Sequence, residues 1–203
     1  MSTAIFGGSF NPVHLGHVKL ACAVKKAVNA ERLIVVPTYI SPFKQNAHNV
    51  ASGQHRLEMC RLAFGDVEGA EISDYEISSG GVSYTVNTLR HFRQLMPDEK
   101  LYFIVGSDSL EGLPSWRNFP EIMSMCTVAA AARSEEDAER ISVLAEKIKP
   151  YGDVVTVNID PFEISSTEIR KKILNNEDIS CYIPANVVKY IVCNKLYAAD
   201  TSA

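Results

Sequence analysis

Short apolar runs alternate along this chain with longer stretches in which apolar residues return every three to four positions. The short runs, Thr3–Gly7, Arg32–Pro37, Glu71–Ser73, Leu101–Gly106, Cys126–Ala132 and Val154–Ile159, read as buried strands. The periodic stretches, at about 15–29, 52–64, 85–96 and 134–149, read as helices. The last of them opens with Ser134-Glu135-Glu136-Asp137, a hydroxyl cap followed by acids, and carries Ile141, Leu144, Ala145 and Ile148 on one face. Two more helices are expected at about 166–175 and 185–195, the second starting just after Pro184. This alternation predicts an α/β fold, a mostly parallel sheet with helices on both faces, and then a small C-terminal helical portion over about 164–197. Residues 37–51 and 74–83 fit neither pattern, and their length suits loops that carry function.

A chain of 203 residues can bury a self-sufficient core, so residues 1–203 are read as one domain. With 46% hydrophobic and 22% charged residues it falls in the ordinary globular class. A formal net charge of −4 argues against a broad nucleic-acid footprint, which calls for a basic face. A small phosphate ligand needs only a few local donors and stays allowed. The five cysteines, Cys22, Cys60, Cys126, Cys181 and Cys193, stand apart without ligand spacing, as free thiols in a reducing compartment do. Thr3-Ala4-Ile5-Phe6 is too short for a signal peptide, and no run of roughly 18 apolar residues occurs. A soluble, cytoplasmic protein without membrane contact is therefore expected. A homo-oligomer stays open.

The densest chemical signal follows the first strand: Gly7-Gly8-Ser9-Phe10-Asn11-Pro12-Val13-His14-Leu15-Gly16-His17. In an open parallel sheet, ligands bind beyond the carboxyl ends of the strands, where this segment lies. Gly7 and Gly8 would let a phosphate approach the backbone, and the helix start offers unpaired N–H groups. His14 and His17, three positions apart on one side of the first turn, could each donate a ring N–H to a phosphate oxygen. A Gly-Gly turn alone is a tight connection, and a lone His a surface residue. Two histidines at H-x-G-H spacing behind a glycine turn point past both. The segment is neither a P-loop, which needs G-K-[ST], nor the dinucleotide G-x-G-x-x-G.

Later segments offer matching chemistry. Ile164-Ser165-Ser166-Thr167-Glu168-Ile169-Arg170 is a hydroxyl-rich cap with an Arg on the first turn, suited to a polyphosphate or equally to ordinary capping. Ser83-Tyr84-Thr85-Val86-Asn87-Thr88-Leu89 leads into a helix whose amides near Tyr84 and Thr85 could take a carboxylate. In the segment Gly106 to Trp116, Asp108 suits a ribose hydroxyl or a helix cap, and Trp116 a planar heterocycle or the core. Lys44, in Ser41-Pro42-Phe43-Lys44, read alone is a solvated loop lysine.

Together, G-G-S-F-N-P-x-H-x-G-H and I-S-S-T-x-I-R resemble the two phosphate motifs of the nucleotidyltransferase α/β-phosphodiesterase superfamily, whose sheet is Rossmann-like and doubly wound. The S-Y-T-x-x-T-L segment followed by G-x-D-x-x-x-x-L-P-x-W is similar to the bacterial nicotinate mononucleotide adenylyltransferase pattern. The resemblance runs from Met1 to about Tyr197, with the motifs in the family's order. It implies transfer of AMP from ATP to nicotinate mononucleotide, giving deamido-NAD and pyrophosphate in NAD biosynthesis. It places ATP on Gly7, Gly8, Ser9, Phe10, His14, His17, Gly106, Asp108, Ile164, Ser165, Ser166, Thr167 and Arg170. The acceptor would meet Ser9, Lys44, Tyr84, Thr85, Trp116 and Arg133. His14, His17, Lys44 and Arg170 would neutralise the reacting phosphates, with Mg²⁺ carried by ATP and no dedicated protein metal site.

The chain departs from the pattern at Asn87, where the family has Asp or Glu, and at Ser41 and Phe43 of the P-P-H-K-like stretch. After Arg133, Ser-Glu-Glu replaces the common Pro-Gly. Three rival readings remain at this stage. One is a transferase of the same superfamily with another phosphomonoester acceptor, such as nicotinamide mononucleotide or phosphopantetheine. Another is a fragment of a class I aminoacyl-tRNA synthetase, and the last a catalytically silent nucleotide-binding protein.

Overall fold

The computed structural model describes residues 1–42, 50–162 and 164–198. Strands Ser2–Gly8 (β1), Arg32–Pro37 (β2), Ala70–Ile72 (β3), Lys100–Gly106 (β4), Thr127–Ala132 (β5) and Val154–Asn158 (β6) pair in parallel, in the order β3-β2-β1-β4-β5-β6. Ile5 of β1 stands between Ile34 of β2 and Phe103 of β4, so the sheet centre is apolar on every side.

Each strand is apolar almost throughout because both its faces are covered. Side chains alternate between the faces with period two. Ala4 and Phe6 of β1, Leu33 and Val35 of β2, and Tyr102 and Ile104 of β4 enter one core. Their neighbours Ile5, Ile34, Val36, Leu101, Phe103 and Val105 enter the other. The first core is covered by Leu15–Ala27 (α1) and Gly53–Phe64 (α2), through Ala21, Val24, Met59, Cys60 and Phe64. The second is covered by Thr85–Leu95 (α4), which buries Val86, Leu89 and Phe92, and by Ser107–Gly112 (α5), Phe119–Met125 (α6) and Glu135–Ile148 (α7). Between β3 and α4 lies Tyr75–Ser79 (α3). The late helices Ser166–Leu174 (α8) and Ala185–Cys193 (α9) bury Ile169, Val187 and Ile191 in the first core, beside α1 and α2.

The chain runs outward from β1 to β3 and then returns to place β4 on the other side of β1. That reversal leaves a crevice at the carboxyl ends of β1 and β4, between connections that diverge to opposite faces. Among the described residues no helix is long and apolar enough to cross a membrane.

One local expectation changes, and one segment left unassigned proves helical. Residues 74–83 hold the one-and-a-half-turn helix α3, ended by Gly80 at φ 67°, where a residue with a side chain would be strained. Five residues are too few to display a helical period. The segment after β4 is likewise helical, as α5 and a 3₁₀ turn at Leu113–Ser115, before α6. Its polar start, Ser107-Asp108-Ser109, hides a helix anchored by the buried Leu110 and Leu113.

Candidate active site

The turn after β1 is shaped by an aromatic ring. Phe10 is 1% exposed and sits at φ 45°, and its ring lies where a side chain on Gly8 would be, 2.9 Å from an added Cβ. Gly8 is thus small to admit Phe10, whereas a Cβ on Gly7 would meet only Phe103, at ordinary contact distance. The backbone of Gly8 is pinned to the end of β2 by the Thr38 N–H, at 2.9 Å.

His14 caps α1, one residue before the helix, and its N–H donates to Nδ1 of His17 at 3.2 Å. The two rings face each other with centroids 3.7 Å apart. Gly16 makes this possible, since a Cβ there would stand 3.0 Å from His14 Nδ1 and 2.9 Å from Phe162. The expectation of two equivalent donors on the helix is therefore refined. His17 lines a cavity, and His14, 7% exposed, stacks behind it. Burial lowers the pKa of His14 from 6.5 to about 4, so its ring is neutral at pH 7.

The segment Ile164 to Arg170 meets this turn directly. Arg170 of α8 donates to the Asn11 carbonyl at 2.7 Å and to Thr167 Oγ1 at 3.3 Å. Ser166 Oγ donates to the Pro12 carbonyl at 2.9 Å. Ser165 caps α8 reciprocally with Glu168, accepting the Glu168 N–H at 3.2 Å while its own N–H reaches Glu168 Oε2 at 2.8 Å. The hydroxyls of Ser165 and Ser166 are thus engaged in holding the helix start in place. What faces the cavity is that helix start and the Arg170 guanidinium.

Two cavities open here and share Ser9, Thr38 and Ser41. One, of about 600 Å³, is lined by His17, Ser165, Ser166, Thr167 and Arg170. The other, of about 500 Å³, is lined by Gly7, Tyr84, Thr85, Trp116 and Arg117, with Glu76 and Thr88. Tyr84 caps α4 and Thr85 is its first residue, so the helix start is turned to the second cavity. Trp116 is half-buried, edge-on to Phe103 with centroids 6.2 Å apart. Gly106, Asp108 and Arg133 form a separate group at the ends of β4 and β5, with Arg133 Nη2 3.5 Å from the Cβ position of Gly106. Asp108 and Arg133 are exposed. Ile164, half-buried, packs against the first core just ahead of α8. Lys44 lies outside the described residues.

Three further residues hold the site. Arg56 of α2 is 2% exposed and donates to the carbonyls of Ser9 (2.9 Å), Thr38 (2.5 Å), Tyr39 (3.1 Å) and Ala51 (3.0 Å). A buried guanidinium is tolerable only when carbonyls replace its water. Here it ties the first turn to the end of β2. Its sequence signal was a cation on the apolar face of α2, one turn before Met59 and Cys60. Asn11 Oδ1 accepts the Ala51 N–H at 3.0 Å and the Tyr197 hydroxyl at 2.7 Å. Glu76 is 7% exposed and accepts a hydrogen bond from Thr88 Oγ1. Among the described residues no group of three His, Cys, Asp or Glu side chains could hold a metal ion.

The model of the cytidylyltransferase-like family matches residues 5–172. A protein of Clostridium acetobutylicum named probable nicotinate-nucleotide adenylyltransferase is 38% identical over 196 residues, covering 96% of this chain and 98% of its own length. One of the same name from Fusobacterium nucleatum is 35% identical, covering 94% and 97%. In three dimensions the chain is similar to Plasmodium falciparum nicotinic acid mononucleotide adenylyltransferase complexed with NaAD, with TM-score 0.77, 22% identity and 97% of each chain covered. With the fold, both phosphate motifs and full-length relatives in agreement, the chain belongs to the cytidylyltransferase-like family, in its nicotinate-nucleotide adenylyltransferase branch.

Proposed function

We propose that this protein transfers the AMP of ATP to the phosphate of nicotinate mononucleotide, releasing pyrophosphate and forming deamido-NAD for NAD biosynthesis. The observation that carries the reading is the pair of cavities meeting at Ser9, Thr38 and Ser41. The cavity bounded by His17, Arg170 and the start of α8 suits a polyphosphate, which needs N–H donors and positive charge. The other offers the start of α4 for a ring carboxylate and Trp116 as a flat apolar surface. The relatives' names and near-complete coverage support the same substrate pair.

An acceptor phosphate oxygen attacks the α-phosphorus, and the bond from that phosphorus to the oxygen bridging to the β-phosphate breaks. Pyrophosphate leaves with the electron pair. A phosphate monoester is already nucleophilic at neutral pH, so no covalent enzyme intermediate is required. The protein positions the two phosphates and offsets charge on the leaving group. Arg170 supplies full positive charge and His17 a ring N–H. His14, neutral and stacked, fixes the orientation of the His17 ring. Mg²⁺ arrives as part of the ATP substrate, because the donors here suit phosphate oxygens rather than a cation. The buried thiols of Cys60 and Cys126 fit a reducing, cytoplasmic setting.

Pyrophosphate release, measured with ATP or CTP against nicotinate mononucleotide, nicotinamide mononucleotide and phosphopantetheine, tests the assignment. ATP with nicotinate mononucleotide should give the highest kcat/KM. Release with none of the acceptors would sink it.

A further inference from the structure

Among the described residues lining the acceptor cavity, Arg117 is the one cation and Glu76 the one carboxyl. Arg117 stands in a tight turn closed by the Phe119 N–H to the Trp116 carbonyl at 3.1 Å, and is followed by Asn118 in the left-handed region at φ 55°. That turn aims its guanidinium over the Tyr84 ring, with Cζ 4.8 Å from the ring centroid. Tyr84 is the cap of α4, so the charge is held on the side chain of the residue that opens this helix, in the wall of the cavity that Tyr84 and Thr85 also line. The neighbouring acids have other arginines. Glu121 of α6 pairs with Arg90 at 2.5 Å, and Glu111 with Arg140 at 3.1 Å. Arg117 is exposed, and its stacking on Tyr84 uses the face of the guanidinium rather than its N–H edge.

We propose that Arg117 is a specificity-determining residue for the acceptor, its charge favouring a pyridine mononucleotide that bears a ring carboxylate over one that bears an amide. The inference rests on the adenylyl-transfer reading above and adds a side chain to the recognition of the ring. Both mononucleotides carry the ribose phosphate, so attraction for that phosphate cannot separate them. A cation stacked on the cap residue of α4, in the cavity proposed for the ring, can. Because the guanidinium is at the solvent-facing rim, its effect is modest, screened by salt and expressed mainly in capture of the acceptor.

The test is kcat/KM for nicotinate and nicotinamide mononucleotides, at low and high ionic strength, for the parent, Arg117→Gln and Arg117→Lys. Arg117→Gln should lower kcat/KM for the nicotinate compound by about 5–10-fold, through KM. It should leave the nicotinamide compound within about twofold and flatten the salt dependence that separates them. Arg117→Lys should recover most of the loss. An equal fall for both acceptors would overturn the proposal and make Arg117 a prop for Tyr84, and an unchanged ratio would overturn it too. A parent enzyme idle with nicotinate mononucleotide overturns the functional reading itself. A parent active with it, whose ratio survives Arg117→Gln, overturns only the charge selection.

Discussion

The Arg170 guanidinium donates to the Asn11 carbonyl at 2.7 Å, joining segments 159 positions apart. The side chain that would meet the phosphates is therefore set in place before they arrive. A lysine there keeps the charge but loses the planar fork that bonds carbonyl, Thr167 and ligand together. Arg170→Lys should recover little of the activity lost in Arg170→Ala, itself about 10²–10³ down in kcat/KM with ATP as the varied substrate. Steady-state kinetics of both variants checks this, and full recovery by lysine would show that charge alone matters.

Gly16 separates a structural from a catalytic requirement. Alanine is the better helix former by about 0.5–1 kcal/mol, so on propensity alone Gly16→Ala should stabilise α1. Its Cβ, however, would stand 3.0 Å from His14 and 2.9 Å from Phe162. The expected outcome is a melting temperature within a few degrees of the parent, with turnover reduced at least about tenfold as the stacked histidines part. Thermal melts beside a pyrophosphate assay decide it. Parent-level turnover would mean that the stacking is dispensable.

His14 gives the fold a defined acid sensitivity. Its pKa falls from 6.5 in the unfolded chain to about 4 in the folded protein. The unfolded chain therefore takes up the proton first, and stability present above about pH 6.5 is lost as pH falls towards 4. The contribution is on the order of 3 kcal/mol. Urea unfolding between pH 4 and 7.5 should show a shallower acid decline for His14→Asn than for the parent. Parallel curves would contradict the burial assigned to this ring.

The strands, the sheet's parallel sense and the two phosphate motifs could be read in the sequence because each is a local pattern, an apolar run or a spaced set of side chains. The roles of Arg56 and Glu76 could not, although a cation on the apolar face of α2 marked Arg56 as unusual. Their importance comes from burial against carbonyls and hydroxyls that other segments deliver, such as Ser9 and Thr38 for Arg56 and Thr88 for Glu76. The division of labour between His14 and His17 was hidden for a related reason. Spacing places both near the helix start, but whether a ring faces the cavity or its neighbour depends on Phe162, far along the chain. The helices α3 and α5 were too short to show a period.

Glu76 behaves in the opposite sense to His14. Burial raises its pKa above 4.5, against the pull of hydrogen bonds from Thr88 and Ser83 and the charge of Arg56. The unfolded chain ionises first as pH rises, so stability full below about pH 4.5 declines as pH climbs towards the folded pKa. Glu76→Gln keeps an acceptor for Thr88 and removes the titration. It should gain stability relative to the parent on going from pH 4 to pH 8, read from denaturant midpoints at each pH. A constant difference would mean that the parent carboxyl ionises as easily folded as unfolded.

The contact between Tyr197 and Asn11 also bears on when the protein becomes competent. Translation delivers Tyr197 186 residues after Asn11. While the ribosome still holds the later segment, the sheet can assemble, because its last strand ends at Asn158. The turn after β1 and the start of α1 at that moment lack Ser166, Arg170, Tyr182 and Tyr197, all of which bind them in the finished molecule. A nascent chain at that moment would thus carry a formed scaffold and an unfinished turn, and the proposed nucleotide binding would begin only once residues 166–197 have folded onto it.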